Sequence, residues 1–297
     1  MRHPNVPESL EGWWILHRMF AFDRRAFEAL SAKKREKYTA EAVDAFLSLE
    51  NDDGDVGLVQ LIGHKADFML THYARAFDTL ATAQTLVDKL ELFAYFVPRT
   101  SFVSVLELGL YEATAKIHAD LESRGLKPHS NEWNAAFDAL LREQERNPRN
   151  AGRLWAKIPP RRYACFYPMD KKRGDTANWY MLPYEERARL MLEHGKIGRT
   201  FHGLVTQVIS GSIGFDDYEW GVDLYADDPL VFKKLIYEMR FDEASARYAL
   251  FGEFYSGVQF SLDQLGVYLD GSRLPTLELT RESVGDASSD ERPFEAR

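Results

Sequence analysis

The sequence predicts an α+β fold: two tandem ferredoxin-like units, of the dimeric α+β barrel type, in one subunit. Three observations carry this. Strand-like runs of aromatic and β-branched residues alternate with amphipathic helical stretches. In the second half their order is strand, helix, strand, strand, helix, strand. The first half has a similar cadence, and in both halves a strand runs into a short Asp-bearing turn and then a helix. The repeat is one of element order, not of residue identity. It implies two sheets packed face to face with helices outside. The expected boundaries are 9–111 for the first half, 112–160 for a helical connector, 161–265 for the second half and 266–297 for a disordered tail.

Taken in order, Trp13-Trp14-Ile15-Leu16 to Phe20 reads as a strand after Gly12, and Asp23 can cap the helix that follows, with Phe27, Leu30, Val43 and Phe46 on its apolar side. Asp52-Asp53-Gly54 signals a turn into a strand from Val56 to Ile62. Leu70, Tyr73, Phe77, Leu80 and Leu86 fall near helical spacing and predict one long helix from about Phe68 to Leu90. Phe102 to Leu108 is the next strand. From about 112 to 160 the pattern is polar and helical, closed by Pro159-Pro160, which predicts a connector of one or two helices. Tyr163 to Tyr167 opens the second half as a strand. Pro183, with Glu185 and Glu186 behind it, starts a helix, and Gly195 is read as its left-handed exit. Val205–Ser210 and Tyr218–Tyr225 read as strands, Asp228-Pro229 caps a helix through Met239, and Phe254–Phe260 is the last strand.

Bulk properties exclude several functions. The chain has 297 residues and a formal charge of −9, so nothing gives it the basic field that broad nucleic-acid affinity needs. One cysteine, Cys165, permits neither an intrachain disulfide nor a thiolate cluster. The N-terminus lacks the apolar core of a signal peptide and no run is long enough to span a bilayer, so the cytoplasm is the expected compartment. Aromatics make up 13% of residues, enough to line a large flat apolar pocket, although most aromatics are simply core.

The stretch with most chemical content is Tyr167-Pro168-Met169-Asp170-Lys171, read with His194 at the end of the next helix and Gln207 on the strand after it. An imidazole, an oxidisable phenol, a cation and a neutral polar group are the parts of a haem-type pocket. Each has a plainer reading. His194 near a helix C-terminus favours the helix dipole, although it shares a face with Leu190 and Met191 and so points inward, where it needs a partner. A tyrosine at a strand end usually keeps its hydroxyl in water. Lys171-Lys172-Arg173 is ordinarily a solvated basic loop, and Gln207 an outward residue on an alternating strand. Arg153 and Ser245 carry no signal of their own. No HExxH, no phosphate loop and no nucleophile elbow is present.

Longer motifs sharpen the choice. Phe166-Tyr167-Pro168-Met169-Asp170-Lys171-Lys172-Arg173, Asn178-Trp179-Tyr180-Met181, His194-Gly195-Lys196-Ile197-Gly198-Arg199, the run Gly211 to Val222 and the run Tyr237 to Tyr248 resemble the coproheme-decarboxylating branch of the chlorite dismutase-like family. Gly63-His64-Lys65-Ala66-Asp67 and Ser104-Val105-Leu106-Glu107-Leu108 fit as well, and the resemblance covers roughly residues 9 to 262. It implies one porphyrin in the second half and a ring-shaped homopentamer. It implies Fe-coproporphyrin III as substrate and redox centre, haem b as product, hydrogen peroxide as oxidant, and transient contact with a coproporphyrin ferrochelatase. His194 would be the axial iron ligand and Tyr167 the radical-forming catalytic residue. Lys171 would lie near a reacting propionate, the Tyr167–Lys171 loop (Tyr167, Pro168, Met169, Asp170, Lys171) would line the substrate, and Gln207 would sit on the distal side. Arg153 and Ser245 would bind carboxylates. Chlorite dismutases place an arginine where Gln207 stands, and some decarboxylases use a histidine ahead of the tyrosine, whereas none lies between His129 and Tyr167 here. Two alternatives stay open: a chlorite-degrading or peroxidase-like haem enzyme, and a non-catalytic haem-binding protein.

Overall fold

Strand β1 (Ser9–Phe22) shows how the sequence builds the barrel. Ile15, His17 and Met19 turn to one face and Leu16, Arg18 and Phe20 to the other, as a pleated strand requires. A register shift between Glu11 and Trp14 keeps Leu10 and Trp13 both on the inner side. Gly12 sits at that irregularity, where a Cβ would stand 2.2 Å from the carbonyl oxygen of Leu154. The computed structural model describes residues 6–277.

The first half continues with α1 (Arg24–Glu28), α2 (Ala32–Leu49), β2 (Gly54–Leu61), β3 (Phe68–Ala74), α3 (Phe77–Asp88) and β4 (Phe96–Gly109). Asp23 accepts from the Ala26 amide at 3.0 Å, and Ser31 caps a second helix where the sequence reads as one. The single helix expected from Phe68 to Leu90 is instead a strand followed by a shorter helix. All seven residues of β3 are buried, because β1 and β2 flank it and its two faces meet the barrel interior and the helices. A strand buried on both faces loses the polar alternation that identifies strands, so helical spacing arises by accident.

Three helices, α4 (Tyr111–Ser123), α5 (Asn131–Arg146) and α6 (Pro148–Leu154), form the connector, one more than expected. Ile117, Leu121, Trp133 and Phe137 give it a small core of its own. The second half follows as β5 (Tyr163–Lys171), α7 (Tyr184–Thr200), β6 (Val205–Gly211), β7 (Trp220–Ala226), α8 (Leu230–Met239), α9 (Glu243–Tyr248), β8 (Ala249–Phe251) and β9 (Tyr255–Phe260). Gly195 does not end α7. The helix runs on to Thr200, and the left-handed residue beyond it is Gly203, at φ 82°. A glycine inside a helix costs only about 1 kcal/mol, which tertiary packing offsets. A final helix, α10 (Leu265–Asp270), lies where disorder was expected to begin, with Leu265, Tyr268 and Leu269 buried against Phe22, Phe68 and Phe260. The remainder of that expected tail, 278–297, lies outside the described residues.

Each half has the ferredoxin-like strand order, β4-β1-β3-β2 and β9-β5-β7-β6, with every pairing antiparallel. The halves are not two separate stacked sheets. β4 bonds to β6 and β2 to β9, so the strands close into one barrel, with β8 added at β5. Closure removes four exposed edges that stacked sheets would leave unpaired. Gly257 on β9 allows one seam: a Cβ there would lie 2.2 Å from the carbonyl oxygen of Gln60. Inside the barrel His17 of the first half meets Asp223 of the second at 2.9 Å, both almost fully buried, with the imidazole stacked on Phe166. Helices α2 and α3 cover the outer face of the first half, and α7 and α8 that of the second.

Candidate active site

Strand β5 divides the expected five-residue stretch. Tyr163, Cys165, Tyr167 and Met169 join Val222, Leu224, Leu235 and Met239 in the layer beneath α7 and α8, whereas Phe166 faces the barrel interior. The stretch Tyr167–Lys171 is therefore strand and not loop, so only its alternate side chains, Tyr167, Met169 and Lys171, face the helices. Pro168 and Asp170 lie on the opposite face. The Pro168 carbonyl accepts from the Gly252 amide at 2.8 Å, and Asp170 accepts from the Glu219 amide at 2.8 Å.

Tyr167 is 4% exposed. Its ring stacks on Phe254, with centroids 4.5 Å apart and planes at 24°, and meets Phe251 at 5.8 Å. Burial pushes the phenol well above its ordinary pKa, reinforced by Cys165 and only partly opposed by Arg240. Among the described residues its hydroxyl makes no hydrogen bond. The phenol is thus kept protonated, and packing, aromatic and aliphatic, holds it in place of a hydrogen bond.

Lys171 is not the solvated residue its neighbours suggest. Its backbone amide donates to Glu219 at 2.8 Å, its Nζ lies 3.5 Å from the Ala244 carbonyl, and the amine sits 4.6 Å above the indole of Trp179. Burial lowers its pKa to about 8, against the pull of Asp242 and Glu219. Lys172 is half-buried and only Arg173 of the basic run is exposed.

His194, on α7, donates from Nδ1 to Asp242 Oδ2 at 3.0 Å. Asp242 caps α9 with its other oxygen, accepting from the Ser245 amide at 3.0 Å. Burial would raise the Asp242 pKa, but the bonds to His194 and Ser245 outweigh it and the carboxylate is stabilised. A proton fixed on Nδ1 leaves the Nε2 lone pair free, which is the tautomer a metal-ligating histidine needs. Among the described residues Nε2 has no hydrogen-bonding partner. Ser245 Oγ lies 3.4 Å from His194 Nδ1, so its hydroxyl belongs to the same cluster.

Gln207 is half-buried on β6, opposite α7. A Cβ built on Gly198, one turn beyond His194, would stand 3.4 Å from both Gln207 Nε2 and Met239 Cε. Sheet and helix therefore supply the two walls of one layer, with Gln207 on the sheet wall and His194 on the helix wall. Arg153 is not joined to this set. It lies exposed on α6, which packs against β1 and β4.

The donor set fits an iron porphyrin. Among the described residues no group of three or more His, Cys, Asp or Glu side chains could hold a bare ion, whereas a single oriented imidazole suffices when a macrocycle supplies the other ligands. Sequence reasoning missed Asp242, Glu219, Trp179, Phe254 and Arg240. Only Asp242 left a local signal, an Asp three residues before Ser245 at a helix start.

Comparisons with known proteins place the chain in a family. The chain is 39% identical to the coproheme decarboxylase of Staphylococcus saprophyticus, over 88% of this chain and 97% of that protein. It is 37% identical to a putative heme-binding protein of Haloquadratum walsbyi, over 92% of this chain and 49% of that one. The structure of a heme-binding protein from Thermus thermophilus superposes with a TM-score of 0.76 at 37% identity, covering 91% of this chain and all 100% of the other. A mutant chlorite dismutase from Candidatus Nitrospira defluvii superposes at 0.66 with 18% identity, over 88% of this chain and 96% of that one, and shares the fold. Residues 35–260 match the sequence model of the chlorite dismutase family, and the chain belongs to that family.

Proposed function

We propose that this protein binds Fe-coproporphyrin III and, with hydrogen peroxide, converts two of its propionates to vinyl groups, giving haem b. The observation that carries this reading is the pairing of an imidazole oriented for ligation with a buried, unbonded phenol in one helix–sheet layer. A haem carrier needs the first and has no use for the second.

The bound iron porphyrin supplies the oxidising power drawn from peroxide. His194 would hold the iron through Nε2, with Asp242 keeping the imidazole in that tautomer. Gln207, on the sheet wall across from α7, would offer a neutral hydrogen bond where a cation would favour oxyanions such as chlorite. Lys171 and Ser245 would bind carboxylates, with Lys171 near the reacting propionate and the β5 side chains Tyr167, Met169 and Lys171 along the substrate edge, while Arg153, exposed on α6, takes no part in this set. Tyr167 gives up its O–H hydrogen, as an electron and a proton, and regains a hydrogen atom from the β-carbon of the propionate. Loss of one more electron and of carbon dioxide leaves the vinyl group. For each propionate one peroxide becomes two waters, so atoms and electrons balance. The protein's part is to orient the propionate against the phenol. The likeness to the family extends the proposal to a homopentamer in the cytoplasm that receives its porphyrin by transient contact with a coproporphyrin ferrochelatase. Among the described residues no helix is long and apolar enough to cross a membrane.

The test is to add peroxide to the coproheme complex and follow the porphyrin by mass spectrometry. Two successive losses of carbon dioxide plus two hydrogens are expected, and none with Tyr167→Phe, which should still bind coproheme. Full turnover by Tyr167→Phe refutes the radical role, and an unaltered porphyrin in the parent protein favours a carrier. Oxygen release from chlorite would favour the chlorite-degrading alternative.

A further inference from the structure

We propose that Phe254 and Lys65 act as positioning residues for Tyr167: Phe254 clamps the phenol ring face-on, and Lys65 of the first half fixes Phe254. This deepens the reading of Tyr167 as the hydrogen-atom relay and rests on it.

A tyrosine that must take a hydrogen atom from one carbon has to present its oxygen in one orientation. Tyr167 has no hydrogen bond among the described residues to fix its hydroxyl, so orientation must come from contacts to the ring. The tighter of its two aromatic contacts is the stacked Phe254, with centroids 4.5 Å apart and planes at 24°. Phe251 lies 5.8 Å from Tyr167, and the Arg240 guanidinium sits 4.6 Å over the Phe251 ring.

The segment carrying both phenylalanines is itself held. The Gly252 amide donates to the Pro168 carbonyl at 2.8 Å, and a Cβ on Gly252 would fall 2.7 Å from Pro168 Cγ, so the turn lies tight against β5. The Phe254 carbonyl accepts from Lys65 Nζ at 2.9 Å. Lys65 belongs to the loop between β2 and β3, across the β2–β9 seam, and none of the chemistry above uses it. The first half, which contributes no group to the iron or the phenol, thereby sets the angle of the tyrosine. An aromatic pair favours its stacked arrangement by about 2- to 12-fold beyond burial, and small misplacements of reacting groups cost up to ~100-fold in rate.

The experiment compares the parent protein, Phe254→Leu and Lys65→Met. The exposed Lys65 position keeps the proposal testable should Phe254→Leu fail to fold. Apo protein labelled with 3-fluorotyrosine reports the ring directly, with the Tyr167 signal assigned by its loss in Tyr167→Phe. The parent should show a ring-current-shifted signal split by slow ring flipping, and both variants a single averaged one. Electron paramagnetic resonance of the coproheme complex, frozen after peroxide, should show a narrow range of β-methylene couplings for the parent and a broad range for the variants. Turnover should fall about 10-fold in Phe254→Leu, with coproheme affinity within about twofold. Unchanged fluorine spectra, radical line shape and turnover in both variants overturn the clamp while leaving the role of Tyr167 intact. If the parent forms no tyrosyl signal and Tyr167→Phe turns over, the reading of the site falls and the clamp's catalytic role falls with it.

Discussion

Replacing Asp242 by asparagine removes one acceptor and leaves the shape of the side chain unchanged. Asp242 uses both oxygens, Oδ1 for the Ser245 amide and Oδ2 for His194 Nδ1. Asparagine has a single carbonyl oxygen and is also a good helix cap, so it will keep the Ser245 bond and turn its NH2 toward the imidazole. That forces Nδ1 to accept and moves the ring proton to Nε2, the atom proposed above as the iron ligand. The side chain of Asp242 is only 3% exposed, so water screens little of the loss. A hydrogen bond to a charged group is worth about 1.5–3 kcal/mol, or roughly 10- to 150-fold in affinity. Coproheme titrations followed in the Soret band should show weakening of that size, with a shifted band, while the apo protein melts near the parent temperature. Parent-like affinity and spectrum in Asp242→Asn would refute the argument that this carboxylate sets the tautomer.

Two further outcomes follow from the packing. Burial lowers the His72 pKa from 6.5 to about 4, against a weaker upward effect of the neighbouring Asp55 backbone. The unfolded chain therefore binds more protons between those values, and stability is lost as pH falls from about 6.5 toward 4. The shift corresponds to about 3 kcal/mol, so urea melts of His72→Leu should be flatter than the parent's across that window, and equal slopes would contradict it. Gly257→Ala places a methyl group against the Gln60 carbonyl at the β2–β9 seam and should destabilise the barrel by about 1–3 kcal/mol in denaturant melts, whereas a neutral effect would count against a tight seam.

Local pattern carried the element order well, because turn and capping residues such as Asp23, Gly54 and Asp228 mark where elements begin. It failed at β3, whose seven residues are buried on both sides and carry no alternation. Closure of the barrel was not legible either: the seam pairs Leu58 with Phe260 and Leu61 with Gly257, far apart in sequence, and no local signal marks such pairing. Around the site, His194 pointed inward because Leu190 and Met191 share its face, but its partner Asp242 comes from a helix start 48 residues on. Lys171 looked solvated because Lys172 and Arg173 follow it, but it is the last residue of β5 and turns under the helices, whereas Arg173 lies beyond the strand and reaches water. Phe254 is one aromatic among the nineteen phenylalanines in the chain, and its contact with Tyr167 exists only after β8 and β9 fold back on β5.

A crystal structure of the coproheme complex is the most direct test of the whole account. It should show His194 Nε2 within bonding distance of the iron, its Nδ1 still on Asp242, and the Tyr167 hydroxyl within about 3.5 Å of a propionate side chain. Iron ligated by another residue, or a macrocycle bound away from the layer between β5–β7 and α7–α8, would contradict it.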